Sequence, residues 1–171
     1  MRWRALLSLV FLLIGALVFP AGASSVARSE DEAQLSARVE KEQDPVKKSK
    51  MESRLARIKL QQAIRTYKQG NAEEGAQLVG VYLARIKDSW QTLKDSGRNA
   101  AHASGGFKEL DIALREDARL LDDLKRRISY FDRGPVEKAE KEVEQERAEV
   151  LHALFPATRA PDAAKPPGKT D

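Results

Sequence analysis

The stretch GFKELDIALREDARLLDDLKRRISYF, residues 106–131, has the clearest periodicity in the chain. Steps of three and four residues reach eight positions, of which seven are apolar. These positions are Phe107, Leu110, Leu114, Asp117, Leu121, Leu124, Ile128 and Phe131. Because residues at this spacing share one face of an α-helix, the stretch predicts a helix that packs along its length against a partner helix.

Three further helices are predicted around this one from capping residues, a proline at a first helical position and glycines after a last turn. They run from Asp44 to Lys68, from Asn71 to Gly97 and from Gly134 to Leu154. No alternating apolar pattern suggests a strand. Short connections favour antiparallel neighbours. The predicted fold is therefore all-α, an antiparallel up-and-down bundle of three to four helices over residues 44–155.

The N-terminus has the order of a secretory signal peptide. Arg2 and Arg4 precede a charge-free apolar run over residues 5–19, and small residues follow up to Ala23. The run is shorter than the roughly 20 residues that span a bilayer. We therefore expect residues 1–23 to be removed, the mature chain to start at Ser24, and the protein to be periplasmic or secreted. Membrane contact is expected only through the signal peptide.

Two other segments flank the bundle. Residues 24–43 are highly polar and predict a weak helix or coil, because few apolar residues share a face. Residues 156–171 are rich in proline and alanine without periodicity, and predict a disordered tail.

The composition argues against catalysis. The chain has no cysteine, which excludes disulfides, thiolate metal sites and cysteine nucleophiles. It has only two histidines, and their contexts show no metal-ligand spacing. No nucleophile elbow or phosphate-loop motif is present. We therefore expect no enzymatic activity, no metal and no cofactor.

The segment AIRTYKQGNAEEGAQL, residues 63–78, joins the first two predicted helices. Ala63, Tyr67, Gly75 and Leu83 match packing positions of a tetratricopeptide hairpin, so residues 63–83 resemble that family. The resemblance implies a helical hairpin of the kind used by peptide-binding adaptors. The resemblance to the tetratricopeptide family covers one bend, since no second copy of the pattern follows. The rest of the chain resembles exported bacterial helical proteins. The departures from the family pattern are Lys59, Gln62 and Lys87.

Charge is segregated between the first and the last predicted helix. Residues 44–68 carry eight basic and two acidic side chains, whereas residues 135–154 carry six glutamates and three basic side chains. Six of the basic residues fall within a helical stripe about 80° wide. This basic stripe consists of Lys47, Lys50, Arg54, Arg57, Arg65 and Lys68. The stripe either binds an anionic partner or pairs with the acidic helix at residues 135–154.

Asp117 interrupts the apolar ladder of its helix, and Arg147 interrupts the matching ladder of the last helix. If the two helices are antiparallel, these residues lie at about the same level. They therefore predict a structural ion pair that fixes the register of the two helices.

Two functional hypotheses follow. The first is an exported helical binding or scaffold protein of the cell envelope, whose partner is an anionic envelope polymer or an acidic protein. The second is a small-ligand carrier with an aromatic-lined pocket between helices. The residues expected to line that pocket are Tyr67, Tyr82, Trp90 and Phe107. Export and the scarcity of aromatic residues disfavour a nucleic-acid partner, and the oligomeric state is left open.

Overall fold

The computed structural model describes residues 23–156, with side-chain positions from residue 32 onward. This part of the chain is helical and contains no strand, which confirms the all-α prediction. The elements are α1 (Ala23–Lys41), α2 (Pro45–Lys68), α3 (Ala72–Asp95), α4 (Gly105–Arg127), a 3-10 turn (Tyr130–Asp132) and α5 (Gly134–Leu154). The signal-peptide prediction covers residues 1–23 and the tail prediction covers residues 156–171. Apart from Ala23 and Pro156, both segments lie outside the described residues.

The chain divides into two compact units at a point inside α1, Met1–Ala33 and Gln34–Asp171. The described part of the first unit is the beginning of α1. The second unit contains the end of α1 and helices α2 to α5. The polar segment at residues 24–43 is helical as far as Lys41. None of the helices in the described range is both long and apolar enough to cross a bilayer.

Local signals explain where α2 begins and ends. The Asp44 carboxylate accepts hydrogen bonds from the backbone N–H groups of Val46 at 2.9 Å and Lys47 at 3.4 Å, and so caps the helix. Gly70 has a φ of +86°, which lets the chain leave α2 and turn into α3. Asn71 precedes α3 without a side-chain hydrogen bond to its first turn, so the predicted cap is not formed there.

The apolar ladder of α4 forms much of the core, but it ends earlier than predicted. The ladder is buried from Phe107 to Leu124, and Ile128 is partly buried. Ile128 has extended backbone angles and ends the helix, so Phe131 lies on the 3-10 turn with 93% of its surface exposed. The prediction that Phe131 continues the buried face is therefore wrong, because the 3.6-residue period applies only while the backbone stays helical.

The helices pack in two main pairs, and the two pairs contact each other. α2 packs mainly against α3 and α4 mainly against α5, with further contacts between α2 and α4 and between α3 and α5. The hydroxyl of Ser49 near the start of α2 lies 2.8 Å from that of Ser89 near the end of α3. At the other end of α2, Tyr67 covers Gly75 so closely that a Cβ there would lie 2.6 Å from the ring.

The connection at residues 96–104 joins α3 to α4, which share few contacts. The expectation that each short connection joins neighbouring helices is therefore wrong for this pair. Contact between α3 and α4 is concentrated at the start of α4. Gly106 there allows close approach to Leu93 of α3 and to Val46 of α2, since a Cβ would lie 2.9 Å and 3.2 Å from their side chains. Beyond this point α4 packs mainly against α5 and α2, and its first half borders the candidate site.

Candidate functional site

A groove with a volume of about 260 Å³ lies between the first halves of α2 and α4. Three of the six stripe residues line it, together with two serines and a single acidic side chain. We call it the basic groove. Its lining residues are Ser49, Lys50, Ser53, Arg54, Arg57, Gly106, Glu109, Leu110 and Ala113.

Two stripe residues are paired with acidic residues of α4. Lys50 Nζ lies 3.1 Å from Glu109 Oε2, and Arg57 Nη2 lies 3.1 Å from Glu116 Oε2. The partners are 59 positions apart in both pairs, so α2 and α4 keep one register along the groove. The alternative in which the stripe pairs with the acidic helix at residues 135–154 is therefore wrong for these pairs, because α2 packs against α3 and α4.

Three of the six glutamates of α5 are paired with other helices. Glu142 Oε2 lies 2.7 Å from Lys87 Nζ, and Glu149 Oε2 lies 3.8 Å from Lys94 Nζ, with both lysines on α3. Glu140 of α5 pairs with Lys125 of α4. These three glutamates are therefore paired with α3 and α4 and not with the basic stripe.

The other four stripe residues are exposed and take part in no ion pair among the described side chains. They are Lys47, Arg54, Arg65 and Lys68. Arg54 lines the basic groove, whereas Arg65 lies more than two helical turns further along α2. The stripe therefore presents cations that a negatively charged partner can contact.

Arg57 connects the groove to a buried polar cluster. Its Nε contacts Asp117 Oδ1, and its Nη2 donates to the backbone oxygen of Ala113 at 3.3 Å. The Tyr82 hydroxyl donates to Asp117 Oδ2 at 3.2 Å. The predicted pair of Asp117 with Arg147 is wrong, since Arg147 Nε donates to Asp111 Oδ1 at 2.8 Å.

Asp117 is fully buried, and this sets its chemistry. Burial raises the pKa of Asp117 to about 6, although the Arg57 guanidinium and the Tyr82 hydroxyl both act to lower it. Burial also raises the pKa of Tyr82, and the neighbouring Asp117 adds to the effect. A buried carboxylate without a cation is strongly destabilising, so Arg57 is held in the groove wall by Asp117. The interruption of the apolar ladder marked this buried charge in the sequence, but it did not identify the partner.

Three serines form a second polar cluster that the sequence reasoning missed. The hydroxyl oxygens of Ser49 and Ser53 each lie 2.8 Å from that of Ser89, which also donates to the backbone oxygen of Ser49 at 3.0 Å. The available signal was the pair of serines four residues apart on the inner face of α2. Two of these hydroxyl groups line the basic groove.

The four aromatic residues proposed for a ligand pocket lie in different environments. Trp90 and Phe107 pack edge to face with ring centres 6.0 Å apart, and the Trp90 indole donates to Glu149 at 2.8 Å. Tyr82 belongs to the buried polar cluster with Asp117. Tyr67 packs on Gly75 and borders a separate groove of about 230 Å³. Core packing therefore explains the positions of most of these four aromatic side chains.

Within residues 32–156, no three histidine, cysteine or acidic side chains lie close enough together to hold a metal ion. Comparisons of the chain with protein-family models, with curated proteins and with solved structures found no match.

Proposed function

We propose that this chain is an exported, non-enzymatic helical binding or scaffold protein of the cell envelope, and that the basic stripe of α2 contacts an anionic partner. The observation that carries the proposal is the set of four stripe cations without an ion pair among the described side chains. Lys50 and Arg57 on the same helix are paired, so the unpaired cations are not explained by the packing of α4. The partner is an anionic envelope polymer or an acidic protein.

The geometry of the stripe suits an extended partner. Lys47 and Lys68 are separated by 21 residues of one helix, which corresponds to about 32 Å at 1.5 Å per residue. Each exposed contact between opposite charges contributes little by itself. Several contacts along one partner add up, and they also raise the rate of association by long-range attraction.

We propose an antiparallel up-and-down bundle behind a cleaved signal peptide, with a bend of tetratricopeptide type between α2 and α3. The close contact of Tyr67 with Gly75 supports this type of bend. The charged and apolar order of residues 1–23 supports export.

A matched pair of triple variants tests the stripe. Changing Lys47, Arg54 and Arg65 to glutamine removes three exposed cations of α2, and we expect this to abolish binding to immobilised polygalacturonate or polyglutamate. Binding of the unmodified chain should weaken as salt rises, because charges are screened over about 10 Å at 0.1 M salt. The control changes three exposed cations of α4 by the same charge. They are Lys108, Arg115 and Arg119.

We expect the control variant to keep most of the binding, and both variants to melt within a few degrees of the parent, since exposed substitutions change stability little. Equal loss of binding in both variants would show that net charge alone matters. Unchanged binding in the stripe variant would remove the proposed contact surface.

A small-ligand carrier is the second candidate, and one observation favours it. The Tyr67 hydroxyl is buried without a hydrogen-bond partner among the described residues, and Tyr67 borders the groove with Ile64 and Leu120. A ligand that bonds this hydroxyl should raise the melting temperature of the parent chain more than that of Tyr67→Phe. A ligand panel without any such difference argues against the carrier.

A further inference from the structure

We infer that the basic groove is a specific site for a tetrahedral oxyanion of the phosphate class. The inference rests on the proposed function, because it names the chemistry of the group that the anionic partner presents. It goes further by placing that group at one position of the stripe, beside Arg54.

The cations of the groove are arranged for an oxyanion. Arg54 is exposed and has no ion pair among the described side chains, so its planar guanidinium can donate two parallel hydrogen bonds to one ligand. Lys50 is bonded to Glu109, but both side chains are 49% exposed. Such a pair is weak, and a doubly charged ligand can replace Glu109 as the partner of Lys50.

Arg57 fixes one wall of the groove and adds little net charge. Its Nε is held by Asp117 and its Nη2 by Glu116 and Ala113, so the guanidinium does not move and its charge is compensated. Glu109 is the one acidic side chain among the lining residues. The cations available to a ligand are therefore Arg54 and, once the ligand displaces Glu109, Lys50.

Neutral donors lie beside these cations. Gly106 borders the groove in the first turn of α4, where backbone N–H groups have no partner within the helix and carry partial positive charge. Ser53 is half-buried, and its hydroxyl can turn from Ser89 to a ligand.

The size and the donor count favour phosphate over a carboxylate. A volume of about 260 Å³ is below the roughly 300–1,000 Å³ of pockets that enclose a whole drug-sized ligand. The groove therefore suits a charged head group and leaves the rest of a larger molecule outside. A phosphate group carries up to two negative charges and three or more acceptor oxygens. It can therefore accept hydrogen bonds at the same time from Arg54, from Lys50 and from the neutral donors described above. A carboxylate offers two oxygens and one charge.

The test uses the full mature chain and inorganic phosphate, with acetate and chloride at matched ionic strength. Calorimetry should show saturable phosphate binding that acetate does not reproduce. Arg54→Gln should weaken phosphate binding by about tenfold or more, as expected for a lost charge-assisted pair. Arg65→Gln is the matched control, since Arg65 is an exposed, unpaired member of the same stripe outside the groove. It should change phosphate affinity by less than about twofold.

Glu109→Gln provides a second test, because its expected result is a gain in phosphate affinity, which damage to the fold would not produce. Removing the acidic lining residue should strengthen phosphate binding, because it frees Lys50 and removes a repulsive charge. Vesicles that contain phosphatidic acid, whose head group is a phosphate monoester, distinguish the source of the phosphate. Competition between vesicles and inorganic phosphate identifies a lipid head group, whereas binding of inorganic phosphate alone identifies a free anion.

Equal weakening by Arg54→Gln and Arg65→Gln, or equal binding of phosphate and acetate, overturns the inference. If polymer binding still depends on Lys47, Arg54 and Arg65 in that case, the proposed function stands without a phosphate site. A result in which phosphate binding depends on Arg54 while the stripe variant still binds polymers would support the phosphate site. The same result would contradict the basic stripe as the contact surface for the polymer.

Discussion

Replacing Asp117 by asparagine tests whether the core contains a carboxyl group that titrates near neutral pH. The side chain is fully buried, and burial raises its pKa from 3.8 to about 6 despite Arg57 and Tyr82. A group with a higher pKa in the folded state binds its proton more tightly there. The stability that it contributes is complete below about pH 4 and is lost as the pH rises through about 6.

The size of the effect follows from the shift. Two pKa units correspond to about 3 kcal/mol, since one unit is about 1.4 kcal/mol. We therefore expect the parent chain to lose about 3 kcal/mol of unfolding free energy relative to Asp117→Asn as the pH rises from about 3 to about 7. Burial also raises the pKa of Glu52 and Glu146, but these groups titrate in both proteins and cancel in the difference.

Urea unfolding of residues 24–171 at several pH values measures this difference. Trp90 is the one tryptophan in that range, and it is 95% buried, so its fluorescence reports loss of the core. Leu121→Ala is the control, since it should lower the unfolding free energy by about 2–5 kcal/mol at every pH alike. Parallel pH profiles for the parent and Asp117→Asn would refute the reasoning and show that Arg57 keeps Asp117 ionised.

Two other expectations concern the packing of α2 against α3 and the export of the protein. Gly75→Ala should lower the unfolding free energy by about 1–3 kcal/mol, because its Cβ would overlap the Tyr67 ring. Gly80→Ala in the same helix has open space and should leave stability unchanged or raise it by up to about 1 kcal/mol; similar losses in both would contradict the packing argument. The protein exported from a bacterial host should begin at Ser24 by N-terminal sequencing, and a mature form that retains Met1 would disprove processing.

Helix positions were predictable where the cause lies within a turn or two of the chain. Asp44 and Pro45 start α2 through a side-chain cap and a fixed φ, and Gly70 ends the segment because it tolerates positive φ. The same kind of reasoning failed at the end of α4. Periodicity extended the buried face to Phe131, but the extended backbone at Ile128 had already ended the helix.

The same distinction between local and tertiary causes applies to the charged groups. The sequence by itself determined that six cations share one face of α2 and that Asp117 falls on a buried face, because both statements need only the helical period. The tertiary structure decided that Arg57 pairs with Asp117 and that Lys50 pairs with Glu109. An ion pair between two helices depends on which helices are neighbours and on their register. Packing at sites such as Gly106 determines which helices are neighbours and what their register is. The periodicity of a single helix gives no information on either.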